Sequence, residues 1–359
     1  MNPIPGLTEA IHGNEEEKGR QEEIREEVDE EARSGSFARH PPAAVAAGPV
    51  LPAFLRAAPL RKHSAVAMSY QARRAPQTET LALRGLKFQV YRWPGEDPRP
   101  VVLVHGWGDT SETWQFVLDQ LPPARTWVAM DMRGFGRTQR PDDGYWFPDY
   151  LADLDALLDH LSPDTPLDLV GHSMGGNIVM LYAGARPQRV RKVVSLEAFG
   201  LPRTDAVQAP VRYAEWLDEV KLGSRFATYD NYEQFMRVLA RRNPRTPPDR
   251  LEFVARSWAR QGADGRIELW ADPKHKHVNP VLYQRDQAEA CWRAIVAPLL
   301  LVLAEESELT RRMAGELGEE RLRGLFANLT TQTIRGAGHM IHHERPEETA
   351  ALLDRFLSL

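Results

Sequence analysis

The stretch that decides the fold is Leu167-Asp168-Leu169-Val170-Gly171-His172-Ser173-Met174-Gly175-Gly176. An apolar run leads into it, and a helical run, Asn177 to Ala185, leaves it. Gly171, Ser173 and Gly175 fit the spacing Gly-x-Ser-x-Gly, and the strand–turn–helix context gives that short pattern its weight. The reason for the glycines is steric. A serine at the tip of a sharp strand-to-helix turn must adopt an unfavourable backbone conformation. Side chains two residues before it and two after would collide, so both places are glycine. The turn lifts the Ser173 hydroxyl clear of the sheet, near the positive end of the following helix.

Working outward, strands and helices alternate. Thr80 to Leu83 and Leu86 to Trp93 alternate apolar and polar residues around Arg84-Gly85, which predicts an antiparallel hairpin. Val101 to Val104, Trp127 to Met130, Lys192 to Leu196 and Leu299 to Leu303 are apolar runs suited to strands covered on both faces. Thr331 to Arg335 is read as the final strand. Helices are predicted at Ser111 to Leu121, Asp149 to Leu161, Leu317 to Asn328 and Pro346 to Leu357. A mostly parallel sheet wound on both faces is the economical solution.

Two regions break the rhythm. Residues 1–75 form an acidic, then Pro/Ala-rich extension with no apolar face to bury, expected to be disordered or weakly ordered. Met68 is an alternative start. Residues 202–293 interrupt the sheet and are read as an inserted helical cap, its aromatics mostly forming its own core. The α/β core is then 76–201 together with 294–359.

Composition narrows the class. The chain has 359 residues, a net charge of -5 and 42% hydrophobic residues, which suits one large domain and not a nucleic-acid binder. The single cysteine, Cys291, excludes an internal disulfide and fits a reducing, cytoplasmic setting. The longest apolar run, Ile295 to Ala304, is too short to span a bilayer and contains Pro298. The N-terminal residues lack the basic region of a secretory signal.

Two further stretches should converge on Ser173. Val104-His105-Gly106-Trp107-Gly108 closes a buried strand, and its turn can bring backbone N–H groups to a developing oxyanion. The N–H groups of Trp107 and Met174 are assigned to that hole. His105 is expected to orient the loop. Gly336-Ala337-Gly338-His339-Met340 follows the last strand, where a general base would reach the serine, and His339 takes that role. His342 and His343 are expected to face the start of the last helix. His172 is expected to pack or hydrogen-bond locally.

A carboxylate should orient the base. The strand before the one bearing His339 ends in Ala304-Glu305-Glu306-Ser307-Glu308, with serine where an aspartate is expected. Glu305, Glu306 or Glu308 could reach in. Glu197, directly after the strand ending at Leu196, is favoured, because it heads an otherwise uncharged stretch, Glu197-Ala198-Phe199-Gly200-Leu201.

His105-Gly106-Trp107, Asp131-Met132-Arg133-Gly134-Phe135-Gly136, the Ser173 turn and Gly338-His339 arrive in an order that resembles the α/β-hydrolase superfamily, over about Thr78 to Leu359. Leu196 to Leu201, the stretch from Asp272-Pro273 to Cys291-Trp292, and Gly338 to Glu344 look most like the serine-hydrolase-like branch and its bacterial relatives. The resemblance implies an α/β-hydrolase fold: a mostly parallel eight-stranded sheet, helices on both faces and an inserted helical cap. It implies hydrolysis of a small-molecule ester or related acyl substrate without a cofactor. Haloalkane dehalogenases of this fold can carry a Glu after the strand beyond the nucleophile, which supports Glu197. They and the epoxide hydrolases use an Asp nucleophile, and Ser173 argues against both activities. Asp131 and Arg133 are expected to brace loops. Trp107, Trp114 and Phe199 are expected near the mouth, where they would favour a small or medium hydrophobic acyl group. Lactone, amide or carbon–carbon hydrolysis, acyl transfer, or ligand binding without turnover are the alternatives.

Overall fold

The computed structural model describes residues 69–359. The expected extension lies outside them up to residue 68. Its last residues belong to the folded domain: Tyr70 sets its ring edge-on to Phe116 at 4.8 Å and donates its hydroxyl to Asp119 Oδ2 at 2.8 Å.

Eight strands form one sheet in the order β1-β2-β4-β3-β5-β6-β9-β10. They are β1 Gln77–Leu83, β2 Leu86–Trp93, β3 Asp97–Val104, β4 Arg125–Met130, β5 Leu167–His172, β6 Val190–Leu196, β9 Leu299–Ala304 and β10 Leu329–Ile334. β1 and β2 pair antiparallel, as the hairpin pattern predicts, and β2 meets β4 antiparallel. All other neighbours are parallel.

The apolar runs of β3, β5, β6 and β9 are explained by burial on both faces. Val102, Val104, Leu169, Val193 and Leu301 join one core, and Val101, Leu103, Val170, Val194, Leu300 and Val302 join the other. This is the two-residue alternation of a strand. The first core is closed by α2 (Phe147–Leu161), α3 (Met174–Ala185) and Trp292. The second is closed by the short turn of 3₁₀ helix Ser111–Trp114, α1 (Gln115–Leu118) and the last helix, α11 (Pro346–Ser358).

Between β6 and β9 the chain leaves the sheet. It forms α4 (Ala209–Leu222), α5 (Tyr232–Arg242) and α6 (Pro248–Trp258), then a two-stranded antiparallel ribbon, β7 (Ala259–Gln261) with β8 (Ile267–Leu269). The ribbon departs from the all-helical expectation; Asp264-Gly265 turns the chain between two three-residue strands. Phe235, Leu239, Leu251, Val254 and Ile267 form a separate small core that also takes in Phe116. The return helix, α7 (Arg285–Arg293), lies against the helix that follows Ser173. A Cβ on Gly184 would sit 2.0 Å from the carbonyl oxygen of Cys291, so only glycine allows this approach. After β9 come α8 (Glu308–Arg312) and α9 (Glu319–Leu325), the latter shorter than the predicted Leu317 to Asn328.

Candidate active site

Ser173 joins β5 to α3 with φ 52 and ψ -117, a conformation costly for a residue with a Cβ. Its surroundings hold it there. Its N–H donates to Leu196 O at 2.8 Å and its carbonyl accepts from Asn177 N at 3.1 Å. The flanking glycines are required by close packing: a Cβ on Gly171 would lie 2.2 Å from Gly175 O, and one on Gly175 would lie 2.2 Å from Val104 O.

His339 stands in the loop between β10 and the short helix α10 (Ile341–Glu344). Its Nε2 lies 2.9 Å from Ser173 Oγ and its Nδ1 lies 3.2 Å from Glu197 Oε2. Glu197 also has a positive φ, 54, and is fully buried directly after β6. Its N–H donates to Val302 O at 2.8 Å. Its Oε1 accepts from Ala304 N at 2.5 Å and Thr310 Oγ1 at 3.1 Å, which leaves Oε2 for the imidazole. A carboxylate there accepts a hydrogen bond from Nδ1–H and leaves the Nε2 lone pair facing the serine hydroxyl. That arrangement can withdraw the hydroxyl proton.

The other glutamates lie elsewhere. Glu305 Oε2 accepts from Gly336 N at 3.0 Å, Glu306 pairs with Arg245, and Glu308 pairs with Arg311 and Arg312. None of these contacts reaches His339. The Glu308 pairs are solvent-exposed and screened by water. Ser307, where an aspartate was expected, caps α8 by accepting from Leu309 N at 3.2 Å.

The loop after β3 runs beside the serine. A Cβ on Gly106 would come within 3.2 Å of Ser173 Cβ. Met174 is the first residue of α3, so its N–H has no partner within the helix. His105 braces this loop as expected: its Nδ1 meets Gly106 O at 2.7 Å and its Nε2 accepts from Met132 N at 2.9 Å. Asp131 accepts from Ser111 N at 2.8 Å and Arg137 N at 3.0 Å, and Arg133 makes two 2.6 Å bonds to Asp153.

Of the three aromatics expected at the mouth, Trp107 is 52% exposed. Trp114 and Phe199 are corrected to core residues. Both have no exposed surface; Trp114 packs 5.0 Å from the His342 ring and Phe199 stacks on Trp292 at 5.1 Å. An aromatic near a loop fits a core as well as a pocket, and nothing local distinguishes the two.

A second group, unread in the sequence, lies behind the first. His342 and His343 do not face α11 but are buried against Asp109. His342 Nε2 lies 3.0 Å and His343 Nε2 3.7 Å from Asp109 Oδ2. Asp109 Oδ1 accepts from Thr110 N, Thr113 Oγ1 and Trp258 Nε1 at 2.7–2.8 Å. Burial opposes the charge of Asp109, yet the His342 bond and the surrounding histidines hold its carboxyl well below the usual carboxylate range. Burial, then the His342 charge, push His343 down to about 3. The signal available in the sequence was two adjacent histidines beside the His339 loop and an aspartate in the loop after β3. Asp109, His172 and His342 each offer a metal a donor atom, all within 4.8 Å of one another. Asp109 and His342 already satisfy each other by hydrogen bonding, and His172 Nε2 is engaged by the carbonyl of His339 at 2.8 Å.

Among the described residues, no helix is long and apolar enough to cross a membrane. The family model for the alpha/beta hydrolase fold matches residues 99–346. A serine hydrolase-like protein of Danio rerio is 24% identical over 278 residues, covering 74% of this chain and 83% of the relative. A 2-(acetamidomethylene)succinate hydrolase of Mesorhizobium japonicum is 26% identical over 257 residues, covering 72% and 87%. The thioesterase domain from the curacin biosynthetic pathway superposes with a TM-score of 0.66 at 22% identity, over 78% of this chain and 99% of that one. With its eight-stranded sheet, its serine on the β5 turn and a family match over most of its length, this chain belongs to the α/β-hydrolase family.

Proposed function

We propose that this protein is a cofactor-independent serine hydrolase that cleaves carboxylic esters or related acyl bonds through an acyl-enzyme. The observation that carries the reading is the relay of 2.9 Å from Ser173 Oγ to His339 Nε2 and 3.2 Å from His339 Nδ1 to Glu197. Ser173 Oγ attacks the carbonyl carbon while its proton passes to His339 Nε2. The N–H groups of Trp107 and Met174 receive the oxyanion. The leaving alcohol takes the proton from His339 as the carbon–oxygen bond breaks. Water then attacks the acyl-serine, gives its proton to His339, and the proton returns to Ser173 as the acid leaves. Glu197 holds the imidazole in one tautomer and balances its positive form.

The insertion is read as a cap that sets the acyl size, with Trp107 at the opening. A small or medium hydrophobic acyl group fits this reading, in a reducing, cytoplasmic setting consistent with the lone Cys291. The test is hydrolysis of nitrophenyl acetate and butyrate with fluorophosphonate labelling. Ser173→Ala should abolish labelling and lower kcat by about 10⁴-fold or more. A triple variant with Gln at 305, 306 and 308 should stay within about threefold of wild type, because their contacts lie away from His339. Collapse of the triple variant would move the triad acid to that loop. A wild type that neither turns over nor labels would leave a binding protein on a hydrolase fold. A lactone, amide and diketone panel separates the other reactions available to the same triad.

A further inference from the structure

We propose that His172 is a positioning residue for the base: its Nε2–H fixes the main chain of His339 relative to Ser173, with the Asp109–His342 pair supporting its ring from behind. The inference rests on the assignment of Ser173 and His339 as nucleophile and base.

The carbonyl of His339 can only accept, so the 2.8 Å contact with His172 Nε2 requires the proton on that nitrogen. His172 is 1% exposed, and burial, then its neighbours His342 and His339, keep it neutral by lowering its pKa well below the ordinary value. Its other nitrogen faces the oxyanion-side loop, where a Cβ on Gly106 would sit 2.9 Å away. The ring therefore bridges the two loops that must meet at a substrate carbonyl. His342 packs on it with ring centroids 4.3 Å apart, and His342 is tied to Asp109 at 3.0 Å.

The role follows from what else holds the base loop. Gly336 N bonds Glu305, Gly336 O bonds Arg345, Ala337 O accepts from Glu306 N, and Gly338 N bonds Glu344 Oε2 at 2.6 Å. These bonds tie the loop to the end of β9 and to its own downstream helix, and none of them touches the serine turn. His172 is covalently next to Ser173, so its bond to the His339 carbonyl registers nucleophile and base through one residue. A displacement of about 1 Å at such a pair costs on the order of a hundredfold in rate.

The test compares His172→Leu, which loses the donor, with His172→Gln, whose Nε2 reaches as far as the imidazole Nε2. Circular dichroism confirms that each is folded. In nitrophenyl ester hydrolysis, His172→Leu should lose about ten- to a hundredfold in kcat with KM within about twofold. His172→Gln should recover to within about threefold of wild type. A His172→Leu enzyme at wild-type kcat would overturn the proposal, as would a loss confined to KM or a Gln variant no better than Leu. If His172→Leu does not fold, Gln against the shorter Asn decides: equal kcat for the two overturns the positioning role, and a Gln advantage supports it. A wild type with no turnover and no labelling sinks the hydrolase assignment and this role together. Turnover in wild type with an unaffected His172→Leu sinks only this one.

Discussion

Among the described residues, two carboxylates pair with histidines, Glu197 and Asp109, and the two sites differ chiefly in access. Glu197–His339 is joined at 3.2 Å with the imidazole side chain 41% exposed and a serine hydroxyl at its other nitrogen. Asp109–His342 is joined at 3.0 Å with both side chains 1% exposed, and the Nδ1 of His342 has no partner among the described residues. The bond lengths are nearly the same. A carboxylate beside an imidazole is thus not in itself a catalytic element. What separates the pairs is a serine hydroxyl in reach and a side open to solvent. The open pair sits on two strand ends and a strained turn; the sealed pair joins the loop after β3, the loop that bears His339 and, through Trp258, the insertion.

The comparison can be broken most sharply at the open pair. Glu197→Gln keeps the shape and removes the charge that orders His339, so kcat for nitrophenyl butyrate should fall by about 10³- to 10⁴-fold. Its unfolding midpoint should move far less than that of a variant at the sealed pair. Asp109→Ala should do the reverse. It leaves buried His342 without its carboxylate and Trp258 Nε1 without its acceptor, and removing one partner of a buried pair costs about 3–5 kcal/mol, read in urea unfolding. An Asp109→Ala protein as stable as wild type would show the sealed pair to be incidental.

Acid provides the gentlest probe. The folded pKa of His343 is lowered to about 3, as is that of His275, which burial holds down between the rings of Phe135 and Tyr145. That of His172 is also lowered. An unfolded histidine titrates near 6.5, so between about pH 6.5 and 3 the unfolded chain binds more protons at His343 and His275, and His172 acts in the same direction below pH 6.5. The stability they confer is complete above pH 6.5 and declines as pH falls, by about 1.4 kcal/mol per pH unit for each site. Urea midpoints measured from pH 7 to 5 should fall with that sign, and His343→Phe should flatten the slope. A midpoint that rises on acidification would contradict it.

These contrasts also mark which features of the chain are legible in its sequence. The sheet and the serine turn were legible because both are local: alternating cores need continuous apolar strands, and the turn needs glycine on each side of Ser173. Glu197 was reachable because a lone acid in the run to Leu201 needs a partner. The three glutamates after β9 were harder to dismiss, since chain order cannot say which strand end approaches the imidazole. Trp114 and Phe199 were misplaced because burial of an aromatic depends on what packs over it. Asp109 with His342 and His343 escaped notice for the same reason: residues 233 apart in the chain become partners only when β3 and β10 end on the same edge of the sheet.

The way the insertion is rooted carries a lesson for anyone who would re-engineer the enzyme. One root leaves directly behind Glu197, and the other is the helix pressed against Gly184. Everything between these anchors resembles a cassette that could be exchanged as a unit. The exchange has a hidden term. Trp258 donates to Asp109, Ser257 bonds Thr110, and Arg250 donates to the carbonyl of His343 at 2.8 Å. A grafted cassette that omits these partners would leave acceptors unmet behind His339. Successful chimeras should therefore be those that carry an indole or guanidinium to the same spots, whatever shape they give the pocket.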